Sequence, residues 1–108
     1  MIKYKIRAVN SRRKFPEVVF EDEKYSLIGE MLLAERAFLT QLLDALDSAS
    51  KDPDAGNAAF AGNAFSLFIA GDHTKITNDI TGTETEAPTA DLKKLVRTYQ
   101  RHYDKLHR

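Results

Sequence analysis

Hydrophobic positions follow a helical rhythm from about Tyr25 to Ala49. Advancing 100° per residue gathers Leu27, Ile28, Met31, Leu32, Ala34, Phe38, Leu39, Leu42, Leu43, Ala45 and Leu46 on one half of a cylinder. Glu30, Arg36, Thr40, Gln41, Asp44, Asp47 and Ser48 fall on the other half. The spacing predicts one long amphipathic helix. Leu33 and Ala37 interrupt its polar side, and one acid, Glu35, sits near the middle of its apolar side. Asp22 and Ser26 both fit as its N-cap. Pro53 and Gly56 bar its continuation through Ser50–Asn57.

Elsewhere the rhythm is two. Ile2, Tyr4, Ile6 and Ala8 alternate with Lys3, Lys5 and Arg7, which predicts a strand wet on one face. Asn10–Lys14 reads as a hairpin loop and Phe15–Phe20 as the returning strand. Pro16 belongs at an edge, Val18 and Phe20 face inward, and Glu17 and Val19 face outward. Residues 58–64 are small and apolar around Phe60, a loop pinning one aromatic into the core. Phe65, Leu67 and Ile69 then alternate with Ser66, Phe68 and Ala70, Gly71-Asp72 makes a tight turn, and His73–Ile80 returns with Thr74, Ile76, Asn78 and Ile80 on one side. Thr81–Pro88 reads as polar loop. Thr89 caps a closing helix with the apolar stripe Leu92, Leu95, Val96, Tyr99, Tyr103 and Leu106. The expected class is therefore α+β, in the order ββαββα. The two hairpins form one four-stranded antiparallel sheet with both helices packed on one face, in a single domain over residues 1–108.

With 108 residues the chain buries enough surface to fold without a metal or disulfide. It has no cysteine, which excludes thiolate chemistry and cysteine-ligated metals and fits a reducing compartment. No apolar run approaches the length of a membrane span, and the N-terminus lacks a secretory pattern, so the expected location is cytoplasmic. Net charge is zero but unevenly spread. Residues 1–14 carry six cations and no acid, residues 92–108 six cations and one acid, and the middle four cations against fifteen acids. The chain is bipolar rather than basic, and the basic ends folding back on the acidic middle is one explanation.

On the closing helix Lys93, Lys94, Arg97, Arg101, Lys105 and Arg108, with Asp104, share about a third of the circumference opposite the apolar stripe. Such a face can neutralise several phosphates, and Arg12, Arg13 and Lys14 would extend it if the first hairpin lies alongside. A solvated helix face is the bland alternative. Glu35, costly on an apolar face unless paired, calls for Arg7, a hydroxyl of Tyr4, Tyr99 or Tyr103, or His102 as partner; a general acid or base in a pocket is the functional alternative. His73, His102 and His107 do not share a metal-binding spacing, and no glycine phosphate-binding fingerprint occurs, so no metal or cofactor is expected. The function expected is non-catalytic: an accessory protein that binds a protein partner or itself, forming a homodimer because outward Val19 and Phe68 would leave apolar spots on an uncovered sheet face. The alternative is a nucleic-acid-associated protein using the basic helix face.

In element order, and in Ala61–Asp72 followed by Leu92–Tyr99, the chain resembles the YacL-like group of small uncharacterised bacterial proteins. The resemblance covers about two-thirds of the sequence and brings no catalytic motif. It implies a small bacterial cytoplasmic protein of unassigned role.

Overall fold

The computed structural model describes residues 2–7, 15–51 and 58–106. The expected loop Asn10–Lys14, with Arg12, Arg13 and Lys14, lies outside the described residues, as do 52–57 and His107–Arg108. The class is α+β. Strands β1 (Tyr4–Arg7) and β2 (Glu17–Phe20) form an antiparallel ribbon in the register Tyr4↔Phe20 to Arg7↔Glu17. Helices α1 (Ser26–Ala34) and α2 (Leu39–Lys51) follow. Next come β3 (Ala58–Ala61), β4 (Phe65–Ala70), β5 (His73–Asn78), β6 (Glu84–Pro88) and the closing helix α3 (Thr89–Leu106).

The grouping of strands departs from the expected pair of hairpins in one sheet. The four-stranded sheet is β3-β4-β5-β6, drawn wholly from the second half of the chain, while β1 and β2 stand apart as a ribbon. Two stretches read as loop supply the outer strands. Ala58–Ala61 pairs with β4 in the register Ala59↔Phe68 and Phe60↔Leu67, with Phe60 packed against the core as expected. Glu84–Pro88 pairs with β5, its Ala87 buried opposite Thr74. With both flanks of β4–β5 taken, the ribbon packs instead on α1. A Cβ on Gly29 would lie 3.2 Å from the Phe20 ring and 3.6 Å from the Val18 carbonyl, so α1 runs close against β2 there.

The expected long helix is broken. Glu35 leaves helical geometry at φ −103°, ψ 18°, its N–H still donating to the Met31 carbonyl at 2.8 Å. A 3-10 turn over Arg36–Phe38 follows, and α2 starts after it. Phe38, expected on the apolar face, lies in that turn and is 36% exposed, while Ile28, Met31, Leu32, Leu42 and Leu46 stay fully buried. Ahead of α1 the Asp22 carboxylate accepts from the Lys24 amide at 3.1 Å and caps a 3-10 turn, Glu23–Tyr25, which leads into the helix.

One face of the four-stranded sheet is core: Phe65, Leu67, Ile69, Thr74, Ile76 and Ala87 meet the helices. The β4–β5 turn is the expected one, with Gly71 at φ 61°. The β5 strand ends earlier than expected because the Asn78 Oδ1 accepts from the Ile80 and Thr81 amides, turning the chain and leaving Ile80 80% exposed. The stripe of α3 is as expected as far as Tyr99, with Leu92, Leu95, Val96 and Tyr99 buried, but its last turn runs past the core: Tyr103 is half-buried and Leu106 is 38% exposed. No helix among the described residues is long and apolar enough to cross a membrane.

Candidate interaction surfaces

The basic face of α3 divides in two. Lys93 turns toward α2, where its Nζ meets the Asp47 carboxylate at 2.5 Å, and Arg97 reaches the same oxygen at 3.6 Å. These two cations tie the α2–α3 pair together, aided by Gln100 donating to the Thr40 hydroxyl at 3.1 Å. Lys94, Arg101 and Lys105 lie 7 and 4 residues apart along one line of the helix, all exposed, with no carboxylate paired to them among the described residues. Among the described residues Arg101 bonds the Thr98 hydroxyl, at 3.3 Å. The structure thus brings together three of the expected cations as a solvent-facing line and spends two on the fold.

Glu35 is fully buried, and none of the side chains expected to meet it does so. Its Oε1 accepts from the Asn63 amide at 2.6 Å, and its Oε2 from the Ala64 and Phe65 amides at 2.9 and 3.0 Å. These are the successive N–H groups of the β3–β4 turn, forming a concave anion cradle in which the carboxylate is the anion. That turn holds no positive φ, the feature that lets a short hairpin turn close on itself, so the acid supplies the closure from outside. The arrangement consumes the oxygens of Glu35 in structural bonds. Sequence spacing could not have found this partner, because it is backbone.

The sheet edges differ in how they are guarded. Gly62 donates to the Phe65 carbonyl at 2.9 Å, which fixes Phe60/Leu67 as a hydrogen-bonded pair of the β3–β4 ladder. By alternation, Ala59 and Ala61 turn their N–H and C=O groups off the free edge of β3. Neither residue carries charge, and no described strand or helix pairs with those groups. The opposite edge, β6, offers the backbone groups of Glu84 and Glu86 between two charged side chains and ends at Pro88. In the ribbon, Glu21 donates to the Lys3 carbonyl at 3.1 Å, so Val18 and Phe20 point their backbone groups away from β1. There they face α1 at Gly29, too close for another strand, and Pro16 on the same side has no N–H. The β1 edge is flanked by the exposed cations Lys3, Lys5 and Arg7.

Val19 and Phe68, expected to share one uncovered face, sit on separate sheets. Val19 is 40% exposed beside a groove of about 460 Å³ between β2 and α1, also lined by Leu33 and Glu30. Phe68 is 46% exposed at the middle of the outer face of the four-stranded sheet, with Ala59 and Ala61 beside it on β3 and Lys75 opposite it on β5. Lys75 pairs with Glu84 at 3.3 Å, so the outer face is apolar toward β3 and charged toward β6.

Tyr99 is the one buried hydroxyl without a hydrogen-bond partner among the described residues. Burial pushes its pKa up to about 12, against the smaller opposing pull of Arg36. Among the histidines, the His102 Nδ1 donates to the Thr98 carbonyl at 2.9 Å, and His73 is exposed at the start of β5. Among the described residues no three His, Asp or Glu side chains come together as a metal site. No family model matches this chain, and neither does any curated protein or solved structure.

Proposed function

We propose that this chain is a non-catalytic interaction module, a small accessory protein of the cytoplasm, which binds protein by accepting an added strand on the free edge of β3. One observation carries the reading: among the described strands, β3 alone has a free edge with no charge and no proline, and none of its outward backbone groups is hydrogen-bonded to another described element. Exposed edges are templates for further pairing and are ordinarily blunted by such devices. Here the other edges are blunted and this one is open. Strand addition draws affinity from main-chain hydrogen bonds and specificity from side chains on alternate faces, and Phe68 with Ala59 and Ala61 offers an apolar surface for one of those faces. The cysteine-free composition fits the compartment. The YacL-like resemblance, if it extends to role, adds a bacterial source and no site.

Selection of extended peptides from a random displayed library tests this. Binders should be recovered by the wild-type chain and lost with Ala59→Pro, which deletes an outward N–H while leaving the β3–β4 ladder intact. A failure to recover binders, or binders indifferent to the proline, removes the reading.

A second reading rests on the line Lys94, Arg101 and Lys105, which fits an anionic partner such as the phosphate backbone of a nucleic acid. Titration into RNA and duplex DNA at low salt decides it. Affinity should fall with added salt and drop with Lys94→Glu plus Arg101→Glu; no binding, or binding blind to those charges, ends it.

A further inference from the structure

Resting on the strand-addition reading, we infer that the strand β3 accepts is the β3 of a second copy of this chain, paired antiparallel about a two-fold axis at Phe60. The geometry of the edge is self-complementary. The residues with outward backbone groups, Ala59 and Ala61, lie one on each side of Phe60. A two-fold through Phe60 sets Ala59 opposite Ala61 of the other copy and Ala61 opposite its Ala59. Each of these is a hydrogen-bonded pair, so all four outward groups of each copy are satisfied at once. Any extended strand could supply those backbone partners, so the choice of β3 itself rests on the side chains.

The side chains agree with this pairing. Phe60 meets its own counterpart in the closer, non-hydrogen-bonded position, on the helix side of the sheet where it is already half-buried. On the outer face only the methyl groups of Ala59 and Ala61 flank the axis, and the apolar flank around Phe68 becomes the centre of an eight-stranded sheet. The charged β6 strands, with Glu84 and Glu86, become its two outer edges. Within the paired strands no like charges face each other, because β3 carries none. Helix α2 borders β3, so the same axis brings the two α2 helices near one another and adds area beyond the strands. An isologous dimer of this kind closes, leaving no unguarded edge among the described strands. The small contact places it at the weak end of stable interfaces, with a dissociation constant of roughly micromolar order.

Sedimentation equilibrium of the full chain over a wide concentration range tests the inference. A monomer–dimer equilibrium is expected, weakened by about tenfold or more in Ala59→Pro, since one substitution removes two of the four cross-axis bonds, one from each copy. Ala59→Lys, which keeps every backbone group, should weaken it through like charges near the axis. Because the chain has no cysteine, a single introduced thiol reports only contacts between copies. Phe60→Cys should oxidise to a covalent dimer, the directly opposed positions being about 4.5 Å apart between Cα atoms, within disulfide reach. Phe68→Cys should not. A chain that is monomeric throughout, and not cross-linked at position 60, overturns the second copy as partner while the peptide selection still decides whether the edge accepts strands. A dimer unmoved by both Ala59 variants, or cross-linked through position 68, overturns the pairing geometry itself.

Discussion

The carboxylate of Glu35 occupies the space into which a side chain on Gly62 would project. A Cβ at Gly62 would meet both the Oε1 and Cδ of Glu35 at impossible range, so the glycine is required by the neighbour and not by its own backbone angle. The two residues are halves of one device. Helix α1 stops so that the acid can reach the β3–β4 turn, and the turn is bare so that the acid can enter. Gly62→Ala should therefore cost about 2 kcal/mol or more, because the carboxylate must leave three amides to make room. Glu35→Ala should cost roughly 2–4 kcal/mol by leaving three amides unpaired, that of Phe65 buried and those of Asn63 and Ala64 part-buried. Urea denaturation of each variant measures both, and a Gly62→Ala chain as stable as the parent would contradict this coupling.

Tyr99 gives a prediction of opposite sign. Its hydroxyl is buried without a partner among the described residues, so Tyr99→Phe removes a desolvated donor and should be neutral or stabilising by up to about 1 kcal/mol. Its pKa, raised by burial to about 12, also sets a pH dependence. In the folded chain Tyr99 holds its proton where the unfolded chain, with an ordinary value near 10, has begun to release it. The contribution is complete below about pH 10 and is lost as pH rises toward about 12. Alkaline unfolding should come at higher pH in Tyr99→Phe, and tyrosinate absorbance should show a step near pH 12 in the parent that is missing in the variant.

Which parts of this were readable in the sequence follows from the range of the forces. The β4–β5 hairpin and the α3 stripe depend on local period and one glycine turn, so Phe65, Leu67, Ile69, Leu92, Leu95, Val96 and Tyr99 announced their burial. Strand β6 did not, because Glu84 and Glu86 point to water and its inward residues are only a threonine and an alanine. Strand β3 hid likewise behind alanines that suit many conformations. Glu35 was visible as an anomaly, yet its partner is a set of amides 28 to 30 residues away that carry no side-chain signature. The cationic face of α3 was legible as a pattern; that Asp47 would claim Lys93 and Arg97 required knowing that α2 lies beside α3.

That division of cations can be measured. Asp47→Asn should destabilise the fold by about 1 kcal/mol, an effect that shrinks with added salt, because it unpairs two cations across a half-buried helix contact. Charge reversal at Lys94 or Lys105 should change stability by less than about 0.5 kcal/mol, since neither has a carboxylate to lose among the described residues. Thermal unfolding at low and high salt separates the two groups. Equal losses from all three substitutions would mean that the exposed line belongs to the fold as much as Lys93 does.

The last relationship joins the sheet to α3. Thr74 on β5 and Thr89 at the head of the helix are both buried, and their hydroxyls meet at 2.8 Å. Each satisfies the other, so changing one to valine should strand its partner and cost about 1–2 kcal/mol. Changing both removes donor and acceptor together, and two valines of similar shape should restore much of that loss. The double-mutant cycle is expected to give a coupling energy of about 1 kcal/mol or more. Additive losses in urea denaturation would instead mean that each hydroxyl acts through other neighbours. For Thr89 the competing role is capping the first turn of α3, and a loss confined to Thr89→Val, with Thr74→Val silent, would identify it.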